Sequence, residues 1–271
     1  MARVKDVLRW IDVHAPFRHA ESWDNCGLQV GDPLARVDRI LVALDAASWS
    51  LQEAEDRNCQ CLVTHHPLIF RPLGAVRADA FPGALVIRAL MKGIHIIAAH
   101  TNLDAAREGT NAQWVKLLAL ESVEPLEAEA SWRDDAAYGG MGRLGALPER
   151  ITLEAFASRV ETVLGGAKVR VVGDPRREVG RIALCTGSGG SLLEKVIAAG
   201  AEVYVTGDVK YHEAQRAVEA GLCMVDAGHF ASERLIVPPL AHYLESQGRT
   251  EGLPVEVLTA SSERDPFWSL E

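Results

Sequence analysis

The sequence alternates short apolar segments with amphipathic ones, and the same alternation occurs in both halves of the chain. When the chain is slid along itself by 142 residues, Arg39-Ile40 falls on Arg181-Ile182 and Val63-Thr64 falls on Val205-Thr206. Strands separated by helices are typical of βαβ units, and a recurring pattern indicates a duplicated unit. We therefore predict an α/β fold of two pseudo-duplicated α/β domains, with mostly parallel or mixed sheets flanked by helices.

The domain boundary is predicted from a change in composition. Between Leu120 and Tyr138 the sequence turns acidic and polar, and we interpret this stretch as the transition between the halves. We expect residues 1–122 and 228–271 to form the first domain, with most of the candidate site residues, and residues 123–227 to form the second. Thr152 is predicted to cap a helix, and a long helix is expected to begin near His229.

Composition excludes several classes of protein. The chain has 271 residues, of which 48% are hydrophobic and 24% charged, so it can bury enough apolar surface to fold. Its net charge of −9 does not support nucleic-acid binding, which needs clustered cations. No segment approaches the ~20 apolar residues that cross a bilayer. The charged start is unlike a secretory signal, and five cysteines without a CxxC pair suit a reducing compartment. We expect a cytoplasmic protein without a membrane partner.

We predict strands at Arg39–Leu44 and Cys61–Thr64, and the second of these is followed directly by His65-His66-Pro67. Neighbouring residues in a strand point to opposite faces, so two functional histidines in sequence require the strand to end there. Pro67 favours this because it directs His66 away from helical conformation. Ligands bind at the carboxyl ends of parallel strands in α/β sheets. The alternative is one packed and one exposed histidine without a ligand.

Two further segments place polar residues after predicted strands. His229 and Glu233 are spaced to share one face of a helix, although an ordinary surface pair has the same spacing. His100 and Asp104 follow the strand that ends near Ala99. Asp104 offers an oxygen ligand that could bridge two cations, and His100 could bind metal or orient another ligand.

These residues together form a candidate metal site. Imidazole and carboxylate ligands without thiolate suit Zn, Mn, Fe or Co, among which the sequence does not distinguish. Five ligands exceed the needs of one catalytic ion with an open position, so two ions with a bridging carboxylate, Glu233 or Asp104, are expected. The predicted metal ligands are His65, His66, Asp104, His229 and Glu233.

Other polar residues are candidates for the chemistry around such ions. Asp208, Lys210 and His212 follow a predicted strand and could transfer protons or bind substrate, or Asp208 could simply cap a helix. We assign the catalytic role to His212 and Asp208, and a pocket role to Lys210. Trp23, Asp24 and Asn25 could line the pocket, where the indole could stack on a flat ring, although tryptophan is more often core. The glycines at 187–190 could contact a phosphate but more simply form a tight turn.

Five segments of the sequence resemble the signature segments of one protein family. The chain is similar to the NGG-interacting-factor-three-like proteins, also called GTP cyclohydrolase type 2 homologues. This resemblance covers Trp23 to about Glu233 and implies a dinuclear metal centre, a two-domain α/β fold and a toroidal homohexamer. By motif it implies the same five ligands, and the chain is similar to the compact form without an inserted domain. The segments are WDNCGLQVG, VTHHPLIF, HTNLDAAREGTN, VTGDVKYHEAQ and DAGHFASE.

Two functions from different classes follow from these observations. The first is a dinuclear metal-dependent hydrolase, for which the resemblance implies GTP or another phosphate-bearing heterocycle as substrate. The second is a non-catalytic metal-binding hexameric ring that acts as an interaction, nucleic-acid-binding or regulatory scaffold. A continuous lining of lysine and arginine in the ring lumen would favour the scaffold.

Overall fold

A computed structural model describes residues 1–132 and 134–268, and its elements follow the alternation that the sequence predicts. The strands are β1 (Ala2–Arg3), β2 (Gly27–Val30), β3 (Arg36–Val37), β4 (Arg39–Ala43), β5 (Cys61–Thr64), β6 (His95–Ala98), β7 (Glu121–Glu127), β8 (Met141–Thr152), β9 (Arg170–Val172), β10 (Glu178–Ser188), β11 (Val203–Gly207), β12 (Cys223–Asp226) and β13 (Glu256–Thr259). The helices are α1 (Val4–His14), α2 (Ser48–Asp56), α3 (Gly83–Lys92), α4 (Thr101–Asp104), α5 (Thr110–Leu117), α6 (Leu153–Val163), α7 (Leu193–Ala198), α8 (Tyr211–Glu219), α9 (His229–Arg234) and α10 (Val237–Thr250). Short 3-10 turns occur at Phe17–His19, Ala130–Trp132 and Gly190–Leu192.

The chain divides into two compact units. The first contains Met1–Leu103 and Ile236–Glu271, and the second contains Asp104–Leu235. The second unit therefore begins and ends outside the predicted range of 123–227. The reason is packing, because Trp114 and Leu118 are buried in the same hydrophobic cluster as Phe156.

The first unit is built around a five-stranded sheet in the order β13-β4-β5-β6-β2. β13, β4, β5 and β6 are parallel to their neighbours, and only β2 is antiparallel. The register places Leu41 opposite Leu62 and Leu62 opposite Ile96. These residues are buried in one cluster with Leu51, since strands covered on both faces read as continuous apolar runs.

The second unit contains a six-stranded sheet in the order β7-β8-β10-β11-β12-β9. Its central strands β10, β11 and β12 are parallel, whereas β7, β8 and β9 pair antiparallel. The acidic stretch between Leu120 and Tyr138, which we interpreted as a boundary, contains the edge strand β7 and lies within the second unit. Charged side chains on an edge strand discourage pairing with another chain, and this explains why β7 is acidic.

The duplication predicted from the sequence is visible in the topology of the units. Each has three parallel strands, β4-β5-β6 or β10-β11-β12, and the last of these pairs with an antiparallel strand that precedes the three in sequence. The α/β fold class with mixed sheets is thus confirmed. The units differ in the strand that pairs with the first of the three parallel strands. β4 pairs with the parallel strand β13, whereas β10 pairs with the antiparallel strand β8.

Two predictions about helices had different outcomes. Thr152 caps α6, because its side chain accepts a hydrogen bond from Ala155 N. The long helix expected from His229 is instead two helices, α9 and α10. Pro238 and Pro239 lie in the first turn of α10, where the missing N–H groups are tolerated. Neither proline can donate a hydrogen bond to the carbonyl four residues earlier, so a continuous helix from α9 is interrupted and the chain starts a new helix.

All five cysteines are free thiols, in agreement with the predicted absence of a disulfide framework. Within residues 1–132 and 134–268, no helix is long and apolar enough to cross a bilayer.

Candidate metal centre

Three histidines converge at the carboxyl ends of the parallel strands in the first unit. His65 and His66 follow β5 directly, and His100 follows β6 after one intervening residue. One ring nitrogen from each lies within 4.8 Å of those of the other two. The ring centroids are 5.0 Å apart for His65 and His66, and His100 lies 5.1 and 5.5 Å from them. The adjacent histidines therefore share one site, as the strand-end argument requires.

Each of these imidazoles is oriented through its Nδ1 atom. The partners are Ala99 O at 2.9 Å for His65, Asp45 Oδ1 at 2.8 Å for His66, and Asp24 Oδ1 at 2.9 Å for His100. A carbonyl or carboxylate on Nδ1 favours the tautomer that carries its proton there. Nε2 is then the nitrogen available to a metal, an arrangement common to histidine ligands in metalloproteins.

Asp24 is the most firmly held of these partners. Its side chain is fully buried. Besides His100, it accepts hydrogen bonds from Thr101 N at 3.0 Å and from the Cys26 thiol at 3.0 Å. Burial alone raises the pKa of Asp24, but the hydrogen bonds from His100, Thr101 and Cys26 outweigh it and hold that pKa well below its usual range. Asp24 therefore remains an acceptor at neutral pH.

In the second unit, two carboxylates and an imidazole lie close to one another. Asp104 and Glu233 are both buried, and their nearest carboxylate oxygens lie within 4.8 Å of each other. His229 Nε2 lies 3.0 Å from Glu233 Oε2, while His229 Nδ1 lies 2.7 Å from Asp208 Oδ2. His229 thus repeats the arrangement of the other histidines, with a carboxylate on Nδ1 and Nε2 directed at the group.

Asp104 is fixed by the segment that follows it. Its Oδ1 accepts a hydrogen bond from Thr110 Oγ1 at 2.6 Å, and Asn111 donates from Nδ2 to its backbone carbonyl at 3.1 Å. Thr110 is in turn 3.0 Å from Thr186 Oγ1 on β10. These contacts between α5, β10 and Asp104 restrict the carboxylate to one orientation.

Gly187 at the end of β10 provides the space for Glu233. A Cβ atom built on Gly187 would lie 1.9 Å from Glu233 Oε1 and 3.4 Å from His229 Nε2, and the residue has φ of +63°. Only glycine adopts this conformation readily and also leaves room for the carboxylate. In addition, Gly187 N donates to Ser232 Oγ at 3.0 Å. The 187–190 segment is therefore a tight turn that accommodates Glu233.

The chemistry of both groups fits a divalent metal. Carboxylates this close repel each other when both are ionised, and a cation between them removes the repulsion. Imidazole and carboxylate donors suit the borderline metals expected from the sequence. His100, which the sequence left as a metal ligand or an orienting residue, belongs with His65 and His66 among the candidate ligands.

The remaining candidates lie in different environments. His212 is exposed on α8, with its Nδ1 3.1 Å from Gln215 Oε1. In the described part of the chain, no metal-binding group includes it. Lys210 is the N-cap of α8, so Asp208 does not have that role, and the Lys210 side chain is exposed. Asn25 donates to Ile69 O at 2.5 Å and thereby holds the loop after His66.

Two orienting carboxylates were missed in the sequence. Asp45 was not considered, although it lies just after the predicted strand that contains β4, where the strand-end argument applied equally. Asp24 was considered only as a pocket residue beside Trp23. Its pairing with His100 joins residues 76 positions apart, and no local pattern predicts such a contact.

Comparisons with known proteins identify the family of this chain. The sequence profile of the Duf34/NIF3 (NGG1p interacting factor 3) family matches residues 2–266. The chain belongs to the Duf34/NIF3 family. It is 33% identical to a Streptomyces coelicolor protein named GTP cyclohydrolase 1 type 2 homolog, over 98% of this chain and 94% of that one. A Clostridium acetobutylicum protein of the same name is 31% identical, over 98% of both chains. The resemblance found in the sequence is confirmed.

Two solved structures share the fold of this chain. A Staphylococcus aureus protein superposes with a TM-score of 0.90 at 28% identity and covers 99% of each chain. A Bacillus cereus protein related to NIF3 superposes with a TM-score of 0.92 and covers 100% of this chain and 99% of its own. At 24% identity, the second comparison concerns the fold alone.

Proposed function

We propose that this protein is a dinuclear metal-dependent hydrolase, in which His65, His66, Asp104, His229 and Glu233 hold two divalent ions. The observation that carries this proposal is the orientation of the ligands. Three of these five residues are histidines, and each has its Nδ1 atom on a carbonyl or carboxylate oxygen. Surface histidines have no need for such orientation, whereas metal ligands commonly have it.

The buried carboxylate pair supports two ions rather than one. When ionised, Asp104 and Glu233 accept and do not donate, and each can contact two cations through its two oxygens. A neutral imidazole presents a single nitrogen lone pair and does not bridge. Two bound ions would supply Lewis-acid chemistry, which lowers the pKa of a shared water and polarises a substrate oxygen.

We propose a phosphate-bearing heterocycle, such as GTP, as the substrate class. The names of the Streptomyces and Clostridium relatives favour it, and so does a pair of exposed aromatic rings. Trp23 and Phe70 are 59% and 44% exposed. Their ring centroids are 5.8 Å apart at an interplanar angle of 68°, and each is 6.3 Å from the His100 ring. A flat base stacked on either ring would lie beside the imidazoles.

Hydrogen bonds hold the backbone segments that carry Trp23 and Phe70. Asp24 fixes the segment after Trp23 through Thr101 and His100. The loop before Phe70 is fixed by Asn25 and by Gln29 Oε1, which accepts from Ile69 N at 3.1 Å. Exposed rings on a fixed backbone lose little conformational entropy when they bind a ligand. In this proposal Trp23 and Phe70 bind the base, while Asp24 and Asp45 keep the imidazoles in place.

The test is a comparison of turnover with metal occupancy. Protein purified without chelator or nickel resin, then loaded separately with Zn, Mn, Fe or Co, is assayed on GTP, other nucleotides and phosphoesters. We expect turnover to rise in proportion to bound metal and to be lost in His66→Ala. His242→Ala, which removes an exposed histidine of α10, should retain wild-type turnover.

The alternative is a metal-binding scaffold without turnover. Fully loaded wild-type protein that hydrolyses nothing in this panel would contradict the hydrolase and favour the scaffold. We also propose that the protein is a homohexamer, as the family resemblance implies.

A further inference from the structure

The second unit contains a cavity of about 710 Å³ whose lining includes none of the five proposed metal ligands. This volume is within the range of small-molecule sites. Its walls are formed by α5, β7 and the segment that leads into β8. The lining residues that matter here are Arg107, Lys116, Glu124, Tyr138 and Arg143.

Arg143 is an unusual lining residue because only 5% of its surface is exposed. Its Nη1 atom donates to the carbonyls of Gly140 and Gly142, and Nη2 donates to Ala106 O at 3.0 Å. A guanidinium has five N–H donors, so these three bonds leave two of them. Among residues 1–132 and 134–268, no carboxylate forms an ion pair with Arg143. Burial lowers its pKa to about 10, as expected for a cation that its surroundings do not neutralise.

The other charges on the lining leave an excess of positive charge. Lys116 pairs with Glu108, and Glu124 pairs with Arg181 at 3.4 Å. Arg107 lines the same cavity and donates from Nε to the carbonyl of Ala136. Neither Arg107 nor Arg143 has a paired carboxylate among the residues that the structure describes, so two such guanidinium groups share this cavity.

Gly139 allows this arrangement. A Cβ atom built there would lie 2.3 Å from Arg143 Nη2 and 2.9 Å from Arg107 Cα. Any side chain at this position would displace the guanidinium of Arg143 from its place beside Arg107. The absence of a side chain at Gly139 thus lets the buried guanidinium of Arg143 lie against the backbone of this segment. The charge of Arg107 contributes to the lowered pKa of Arg143, so the two cations repel each other and a bound anion would stabilise them.

We propose that this cavity binds the anionic group of a small molecule, a phosphate or a carboxylate, with Arg143 as the anchor and Arg107 as the second contact. A planar guanidinium matches both oxyanions because it can donate two parallel hydrogen bonds. The site goes beyond the proposed hydrolase and would exist whether or not the metal centre turns over substrate.

The test is calorimetric titration of the purified protein with inorganic phosphate and, separately, with succinate. We expect binding of at least one of them, weakened about tenfold by Arg143→Lys, which keeps the charge but loses the paired donors. Arg107→Gln should weaken it about threefold or more. Because Arg107 is exposed, this second variant remains informative if Arg143→Lys fails to fold.

Two controls distinguish this site from the metal centre and from general charge effects. Arg176→Gln removes an exposed cation that does not line the cavity, and should bind as wild type. His66→Ala should retain anion binding while losing metal. The proposal is overturned if neither anion binds, if Arg107→Gln and Arg176→Gln have equal affinity, or if binding disappears with the metal in His66→Ala.

Discussion

At the scale of single residues, the orienting carboxylates are the most informative positions. Asp45→Asn and Asp208→Asn keep the size of the side chain but weaken the acceptor on Nδ1 of His66 or His229. We expect each to lower metal affinity about 10- to 100-fold, as is typical for partners of metal-bound histidine. Competition with a chromogenic chelator measures this. Asp38→Asn, an exposed partner of Arg36, is the matched control, and an equal effect there would contradict the assignment.

Gly187 tests whether the space around Glu233 matters. Gly187→Ala would place Cβ 1.9 Å from Glu233 Oε1 in a residue with φ of +63°. Gly200→Ala imposes a similar backbone strain, at φ of +69°, but meets nothing within 4 Å. We expect both variants to lose about 1 kcal/mol of stability from the strain, and only Gly187→Ala to lose metal affinity as well. Thermal unfolding measures the stability of the two variants, and metal titration measures their metal affinity. Equal metal affinities in Gly187→Ala and Gly200→Ala would show that the Glu233 carboxylate does not need the space at Gly187.

The residues that the sequence could identify are those that follow strands. His65, His66 and His100 were found because apolar strands end just before them, and that ending is a local property. Their partners were not found, because hydrogen bonds such as that from His100 to Asp24 depend on tertiary placement. His212 shows the opposite limit. The sequence around it suggested proton transfer, but the side chain is exposed and contacts Gln215 rather than a candidate metal ligand. Its catalytic role therefore stays a prediction.

At the scale of elements, Glu53 attaches the segment after β13 to α2. Its carboxylate accepts hydrogen bonds from Ser261 N at 3.0 Å and Ser262 N at 2.9 Å. Burial raises the pKa of Glu53, but the hydrogen bonds from Ser262 and Ser261 outweigh it and lower the pKa to about 2. Since the folded pKa lies below the ordinary value of 4.5, this stabilisation is complete above pH 4.5 and is lost as the pH falls towards 2.

We therefore expect Glu53→Gln to lower the free energy of unfolding by about 2 kcal/mol at pH 7. The difference from wild type should shrink between pH 4.5 and 2, as the wild-type carboxylate becomes protonated. Urea unfolding across this pH range measures both. Glu149→Gln, at an exposed position of β8, is the control and should change stability by less than about 0.5 kcal/mol. A Glu53→Gln deficit that persists unchanged at low pH would contradict this account.

Buried parallel strands were the elements that the sequence predicted best. Cys61–Thr64 was expected at the bounds that β5 has, because its four residues are all apolar or small and all buried. β7 was missed because six of its seven residues are exposed. It therefore has no apolar pattern, and its place in the sheet comes from pairing with β8. The break between α9 and α10 was missed because a helix was extended across Pro238 and Pro239, which lack the N–H groups that a continuous helix requires.

At the scale of the whole molecule, the family resemblance implies a homohexamer. Subunit association covers apolar surface, and α3 exposes Leu90 and Met91 at 57% and 80%. We expect light scattering to report six times the chain mass of 29.4 kDa at micromolar concentration. A monomer across that range would contradict the hexamer, and the scaffold hypothesis that depends on a ring.

The metal content of the protein tests the central claim most directly. Protein purified without chelator or nickel resin, supplied with excess metal and then desalted, is analysed by elemental mass spectrometry together with His66→Ala, Asp104→Asn and the control His242→Ala. This account predicts two ions per chain in wild type and control, and fewer than one in each of the two ligand variants. Wild type with one ion or none, or ligand variants that retain two, would contradict it.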